Sequence, residues 1–203
     1  MIPGNGRRRN MERNERGPIF PRQGEVTCED RFTVLGQKGV VIWLTGLSGS
    51  GKSTIAEAVE KHLNTASKAA FRLDGDDLRS GINSDLGFSK SDRTENIRRA
   101  AHIASLFRDA GIIVLCSFIS PMREMRDMAR SIIGSEHFIE VYVKAGREVC
   151  AKRDPKGLYR ANTAGLSGVS SPFEEPESPD IVLDTEILTI NDCVERIIAK
   201  LNQ

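Results

Sequence analysis

Residues 46–53 of this chain read Gly46-Leu47-Ser48-Gly49-Ser50-Gly51-Lys52-Ser53, and only Thr45 separates them from the apolar run Val40–Leu44. The order predicts a buried strand, a glycine-rich loop and a helix. The spacing G-x-x-x-x-G-K-S lets consecutive backbone N–H groups surround a phosphate chain, because glycine adopts dihedral angles that a side chain forbids. Lys52 is expected to reach the β- and γ-phosphates, and the Ser53 hydroxyl to ligate Mg²⁺ beside them. A plain turn would not need the lysine, so the stretch predicts a nucleoside-triphosphate site.

The composition indicates one globular domain that acts on small molecules. The chain has 203 residues, of which 39% are hydrophobic and 28% charged, which is enough for a single sheet-based core. Its net charge of +1 disfavours nucleic-acid and membrane-surface proteins, which carry a basic excess. We therefore expect nucleotide-sized substrates and neither nucleic acid nor membrane as partner. The sequence leaves the oligomeric state open, with a homodimer as one candidate.

The cysteines and the lengths of the apolar segments indicate the compartment. Cys28, Cys116, Cys150 and Cys193 show neither metal-ligand nor paired spacing, and we expect reduced, mostly buried thiols. No apolar segment reaches the length of a signal-peptide core or a membrane span. The sequence therefore predicts a cytoplasmic protein.

The first 25 residues differ in composition from the rest of the chain. Residues 1–25 place six arginines among glycine, proline and asparagine, which predicts a disordered basic tail. A nucleic-acid-binding arm is the alternative, but Glu12, Glu15 and Glu25 dilute its charge. Residues 26–203 are expected to form the folded domain.

Apolar runs alternate with helical patterns after the glycine-rich loop. A first helix is predicted to about Asn64, and four further runs are predicted as strands buried on both faces: Ala69–Leu73, Ile112–Ser117, Phe138–Val143 and Ile181–Leu183. Helices are predicted between and after them, at Thr94–Ala110, Met122–Ile133, Glu148–Arg153 and Ile190–Leu201. The alternation predicts an α/β fold with a doubly wound parallel sheet of about five strands, and ligands at the carboxyl ends of the strands.

Residues 154–179 interrupt this alternation with glycine, serine and four prolines. The segment is too long for an ordinary connection between a helix and a strand. We expect it to form a mobile lid over the phosphates.

An acidic turn, Asp74-Gly75-Asp76-Asp77, follows the second apolar run. Phosphoryl transfer needs one carboxylate near the metal shell and another that orients the attacking hydroxyl or accepts its proton. We expect Asp74 to lie closer to the magnesium and Asp76 to face the hydroxyl. Capping of a helix by one of these carboxylates is a compatible structural role.

Six motifs together resemble the adenylylsulfate (APS) kinase family, in the order of that family and from about Val26 to the end. They are GLSGSGKST at 46–54, LDGD at 73–76, LGFS at 86–89, DRTENIRR at 92–99, SFISP at 117–121 and RDPKGLY at 153–159. The resemblance implies a P-loop nucleoside-triphosphate kinase fold that uses ATP and Mg²⁺. It further implies transfer of the γ-phosphoryl group to the ribose 3′-hydroxyl of APS, giving 3′-phosphoadenylylsulfate (PAPS).

The same resemblance implies roles for single residues. The loop from Gly46 to Thr54 and Arg153 would bind ATP, with Lys52, Asp76 and Ser120 at catalytic positions. The acceptor would contact, besides Asp76 and Ser120, Arg79, Phe88, Arg93, Asn96, Ile119 and Lys156. Ser120 matches a serine traditionally labelled as a phosphoserine intermediate, whereas direct in-line transfer requires only positioning and charge neutralisation.

The chain departs from the family pattern at residues 160–169, where the segment is shorter than in most relatives and lacks their Phe-Thr-Gly ending. We expect Leu166, Val169 or an inward-turned Phe173 to cover the face of the acceptor base opposite Phe88. Two alternatives stay open. One is the same transfer to another nucleotide-type acceptor, and the other is a catalytically weak, regulatory nucleotide-binding protein.

Overall fold

The computed structural model describes residues 24–161 and 171–203. Most of the predicted tail and residues 162–170 of the predicted lid, including Leu166 and Val169, lie outside these ranges. Within them, no helix combines the length and the apolar character that a membrane crossing requires.

In the described part of the chain, five parallel strands form one sheet, and helices follow them in sequence. The strands are β1 (Val40–Thr45), β2 (Ala70–Asp74), β3 (Ile113–Ser117), β4 (Phe138–Lys144) and β5 (Ile181–Asp184). The helices are α1 (Cys28–Leu35), α2 (Lys52–Thr65), α3 (Gly75–Ser80), α4 (Lys90–Asp109), α5 (Arg123–Ile133), α6 (Arg147–Arg153) and α7 (Ile190–Leu201). The strand order is β2-β3-β1-β4-β5, with every pair parallel. The predicted doubly wound parallel sheet is confirmed.

Alternate residues of β1 pack against two different sets of helices, because successive side chains of a strand point to opposite faces. Trp43 lies in a core with α4 and α5, and its ring stacks on Phe118 at 5.0 Å between centroids. Ile42 and Leu44 lie in a second core with α2 and α7. Helices on both faces bury this strand from Val41 onward, which explains its continuous apolar sequence.

Burial on both faces was a wrong expectation for the two outer strands. Phe71 of β2 is 45% exposed and Val182 of β5 is 44% exposed. Both strands are at the edges of the sheet, where helices cover them incompletely. Their apolar runs match those of central strands, so only the strand order distinguishes them.

Helix caps account for most differences in element bounds. The helix predicted from Thr94 begins at Lys90, because the Ser89 side chain caps it by accepting from the Asp92 amide. The prediction did not include α1, which begins with a capping box between Thr27 and Asp30. Helix α7 has the predicted bounds.

All four cysteines are free, and Cys116, Cys150 and Cys193 are buried. This agrees with the thiols expected from their spacing. The parallel sheet also brings the carboxyl ends of β1, β2 and β3 to one edge, where the glycine-rich loop, the acidic turn and the segment after β3 meet.

Candidate active site

A cavity of about 790 Å³ opens at the carboxyl edge of the sheet. Its walls bring together most of the residues singled out from the sequence: Ser48, Gly49, Ser50, Gly51, Lys52, Ser53, Thr54, Asp74, Asp76, Arg79, Phe88, Arg93, Asn96, Ile119, Ser120, Arg153 and Lys156. Gly46 and Leu47 form the start of the loop without lining the cavity. The described residues that line it include none of the three histidines.

Two glycines of the loop combine a positive φ with a close contact to neighbouring backbone, so neither position has room for a side chain. Gly46 has φ 149° and Gly49 has φ 81°, both in the region that disfavours side chains. An added Cβ on Gly46 would lie 2.3 Å from the Val143 carbonyl oxygen, and one on Gly49 would lie 2.9 Å from the carbonyl oxygen of Cys150. The loop is therefore packed closely against β4 and α6, which fixes its curvature.

Lys52 is buried at the start of α2. Its Nζ donates to the carbonyl oxygens of Gly46 at 2.9 Å and Leu47 at 2.7 Å. Burial lowers the pKa of Lys52 to about 8, because the charged form has lost water. A phosphate chain in the loop would supply the negative charge that favours the ammonium form.

Ser53 and Asp74 meet directly across the cavity floor. The Ser53 hydroxyl donates to Asp74 Oδ2 at 2.7 Å, while Asp74 Oδ1 accepts from the Asp76 amide and caps α3. The described residues contain no group of three or more His, Cys, Asp or Glu side chains that could hold a metal. A hydroxyl beside one carboxylate fits Mg²⁺, which keeps several waters and takes further oxygens from substrate phosphates.

Asp76 stands at the mouth of the cavity, with 68% of its side chain exposed. It forms an ion pair with Lys156, at the start of the predicted lid. The structure thus places one candidate catalytic group against one candidate acceptor-binding group.

Phe88 presents an exposed ring, with 66% of the residue accessible to solvent. The Arg79 guanidinium lies 4.5 Å from the ring centroid, and that of Arg93 lies at 5.8 Å. Arg79 also donates to the Gly87 carbonyl at 2.9 Å, and Arg93 donates through Nε to the carbonyl of Phe88 at 2.9 Å. Two cationic side chains therefore hold the ring and its loop at the cavity wall.

Ser120 is 2% exposed and has φ 36°, an uncommon value for a residue other than glycine. Its hydroxyl accepts from Trp43 Nε1 at 3.1 Å and donates to Thr45 Oγ1 at 3.0 Å. Thr45 in turn donates to the Ile119 carbonyl at 2.8 Å. These contacts engage the Ser120 hydroxyl in holding the turn, and so give it a structural role.

Three residues that contact the site were not singled out from the sequence, two at the phosphate loop and one behind the acceptor half. Thr185 donates to the Ser50 carbonyl at 3.0 Å and accepts from Arg153 at 2.9 Å. Tyr159 donates through its hydroxyl to the Ser48 carbonyl at 2.9 Å. The position of Thr185 directly after a strand could have indicated it, and Tyr159 ends the RDPKGLY motif at 153–159, although no role was assigned to it there. Asn83, the third, binds Asn96 and is considered below.

Phe173, one of the three side chains expected to cover the acceptor base, does not line the cavity; the other two, Leu166 and Val169, lie outside the described residues. The Phe173 ring stacks on Tyr142 at 6.2 Å between centroids and lies 6.0 Å from the Arg126 guanidinium carbon. Packing against β4 and α5 retains it there.

The family model described as adenylylsulphate kinase matches residues 38–184. The adenylyl-sulfate kinase of Bacteroides thetaiotaomicron is 50% identical over 191 residues, which is 92% of this chain and 94% of the relative. That of Clostridium acetobutylicum is 50% identical over 183 residues, covering 88% and 91%. The structure of the Mycobacterium tuberculosis APS kinase CysC in complex with AMPPNP and APS is similar with a TM-score of 0.79 and 40% identity, over 82% of this chain and 99% of that one. The chain belongs to the adenylylsulfate kinase family.

Proposed function

We propose that this protein transfers the γ-phosphoryl group of ATP to the ribose 3′-hydroxyl of APS and releases ADP and PAPS. The observation that carries the proposal is the cavity itself, which joins a phosphate loop at one end to an exposed aromatic ring with two arginines at the other. The related M. tuberculosis enzyme was solved with AMPPNP and APS. Family membership and cavity chemistry thus support the same pair of substrates.

The loop half is suited to hold the triphosphate. Backbone amides of the loop and the Lys52 ammonium would bind the β- and γ-phosphates, and Arg153 would lie beside the nucleotide. Ser53 and Asp74 would hold Mg²⁺, which supplies charge neutralisation on the phosphates when it is bound. Lys52 would exchange its two carbonyl contacts for phosphate oxygens, so the charge needed at the transferring group is already in place.

The other half is suited to an anionic nucleotide acceptor. Phe88 would stack on the adenine, while Arg79, Arg93 and Asn96 would bind the phosphate and sulfate oxygens. Asp76 would orient the 3′-hydroxyl and accept its proton once Lys156 turns to the substrate. Because the Ser120 hydroxyl is held by Trp43 and Thr45, we propose direct in-line transfer without a phosphoserine.

We also propose that residues 26–203 form the catalytic domain and that 154–179 act as its lid. Lys156 and Tyr159 support this, since they already contact the acidic turn and the phosphate loop.

The location and the oligomeric state are proposals as well. Free cysteines are consistent with a cytoplasmic location. A related APS kinase of Thiobacillus denitrificans is described as hexameric. For this chain we propose a smaller assembly, a homodimer. Light scattering of the purified protein would distinguish a dimer from a hexamer.

The test of function is an acceptor panel. The purified full chain is given ATP and Mg²⁺ with APS, AMP or a nucleotide sugar, and ADP release and the site of phosphorylation are measured. We expect APS to be used about a hundredfold more efficiently than the other acceptors, with phosphate on its 3′-oxygen. Preference for another nucleotide would contradict the proposal that APS is the acceptor. Absence of turnover with every acceptor would favour a regulatory role.

A further inference from the structure

A buried asparagine pair lies behind the acceptor half of the cavity. Asn83, in the turn between α3 and α4, is 0% exposed, and Asn96 on α4 is 5% exposed. The Nδ2 of Asn83 donates to the Oδ1 of Asn96 at 3.0 Å. The backbone of Asn83 is fixed as well, because its amide donates to the Leu78 carbonyl at 2.8 Å and its carbonyl accepts from Leu86.

This contact decides which end of the Asn96 amide is available. A carboxamide has one oxygen that accepts and one nitrogen with two donors. Asn83 engages the oxygen of Asn96, which leaves the nitrogen of Asn96 as the group for the cavity that it lines. Asn96 can then donate to a ligand but cannot accept from one at the same orientation.

We propose that Asn83 is a positioning residue that fixes the Asn96 amide with its N–H groups toward the acceptor. The site thereby selects an acceptor nucleotide whose facing atom is a hydrogen-bond acceptor, such as a sulfate or phosphate oxygen. This inference rests on the proposed function and deepens it, because it names the residue that sets the polarity of one acceptor contact.

The stability of the fold does not explain Asn83. Its own Oδ1 is buried and has no hydrogen-bond partner among the described residues, and an unsatisfied buried oxygen lowers stability. An apolar residue of similar volume would remove that oxygen. The polar side chain is therefore explained by the bond that it donates to Asn96.

A second contact holds the same turn to the same helix without touching Asn96. Arg99 on α4 binds both carboxylate oxygens of Asp85 at 2.7 and 2.9 Å and the Ile82 carbonyl at 3.1 Å. Asp85→Asn would loosen this tie and leave the asparagine pair in place. It is therefore the matched control for general loosening of the turn.

The experiment compares Asn83→Leu with Asp85→Asn in the full chain. Michaelis constants for APS and ATP, kcat and melting temperature are measured for each. We expect Asn83→Leu to raise the Michaelis constant for APS about tenfold, the usual value of one hydrogen bond to a charged group, with that for ATP unchanged. Asp85→Asn should lower the melting temperature and leave both Michaelis constants unchanged. An equal rise for APS in Asp85→Asn would overturn the proposal.

A double-mutant cycle removes the remaining ambiguity. If Asn83 acts through Asn96, Asn83→Leu should have no further effect on APS in an Asn96→Ala background. If Asn83→Leu raised the Michaelis constant for APS as much in the Asn96→Ala background as in the unmodified protein, the proposal would be overturned. Should Asn83→Leu not fold, Asn96→Asp keeps the bond from Asn83 but presents an oxygen to the cavity, and unchanged use of APS by that variant would refute it. A neutral Asn83→Leu in an enzyme that phosphorylates APS would reject this inference and leave the proposed function intact.

Discussion

At the scale of single residues, we expect Lys52 to link protonation to nucleotide binding. Its ammonium is buried against two loop carbonyls, and burial lowers its pKa to about 8. Phosphate charge beside it would raise that pKa again. We expect ATP binding at pH 8 to take up about half a proton, measured by calorimetry in buffers of different ionisation enthalpy. Lys52→Met should abolish the uptake and lower kcat by about a hundredfold or more; uptake that persists in this variant would exclude Lys52 as its source.

Asp76 is expected to matter for turnover more than for ATP affinity. Asp76→Asn keeps the shape of the side chain but cannot accept the hydroxyl proton, and general base catalysis contributes about 10²–10⁴-fold. We therefore expect kcat to fall within that range while the Kd for ATP changes less than threefold, measured by steady-state kinetics and titration. Asp77→Asn, at a neighbouring carboxylate outside the cavity lining, is the control. An effect confined to nucleotide affinity would place Asp76 at the metal instead.

Phe88 is expected to bind the acceptor and not ATP. Stacking of a base on an aromatic ring is worth about 1–3 kcal/mol, so Phe88→Ala should raise the Michaelis constant for APS by about tenfold or more and leave that for ATP unchanged. Phe71→Ala is a suitable control, since this exposed ring stacks on Phe107 outside the cavity. If the Michaelis constant for APS stays unchanged in Phe88→Ala, the ring does not bind the acceptor base.

At the scale of elements, α5 ties the cavity wall to the segment that follows residue 170. Arg126 is 3% exposed. It donates to the carbonyls of Ser120 and Glu174, both at 2.8 Å, and its Nε lies 2.9 Å from Glu140 Oε1 on β4. One guanidinium thus joins three segments that are distant in sequence, which is a structural use of a buried charge.

Removing Arg126 should destabilise the fold, because the buried Glu140 carboxylate would keep only the more distant Arg130 as an ionic partner among the described residues. We expect Arg126→Met to lower the free energy of unfolding by about 3–5 kcal/mol, and Arg126→Met with Glu140→Leu to recover part of that loss. Arg130→Met, at a more exposed arginine 3.5 Å from the same carboxylate, should cost about 1 kcal/mol or less. Urea unfolding of the unmodified protein and the three variants tests this. Equal losses of unfolding free energy for Arg126→Met and Arg130→Met would contradict it.

At the scale of the whole molecule, nucleotide and metal should stabilise the fold together. A ligand at about 100 times its Kd stabilises the native state by about 2.7 kcal/mol. We expect ATP to raise the melting temperature more with Mg²⁺ than with EDTA, because Ser53 and Asp74 lie 2.7 Å apart where the metal would bind. Ser53→Ala should reduce this difference, as measured by thermal unfolding. An undiminished difference would mean that Ser53 does not hold the metal.

Much of the fold is predictable from local patterns. The glycine-rich loop, the parallel sheet and the bounds of α7 follow from glycine spacing and hydrophobic periodicity, which act over a few residues. The proximity of Ser53 and Asp74 is also predictable, because the glycine-rich loop that leads to Ser53 follows β1 and Asp74 ends β2 in the same parallel sheet. The sequence also predicts that a carboxylate of the acidic turn caps a helix, as Asp74 caps α3.

The sequence by itself determined the phosphate loop and the two-faced sheet, because dihedral requirements and side-chain periodicity are properties of neighbouring residues. Only the tertiary structure decided which distant groups complete the site. Tyr159 reaches Ser48, Thr185 reaches Ser50, and Asn83 orients Asn96. The first two pairs are 111 and 135 residues apart, so only the packing of the whole domain brings them together. The exposure of β2 and β5 and the engaged hydroxyl of Ser120 depend on the same packing, which no local pattern encodes.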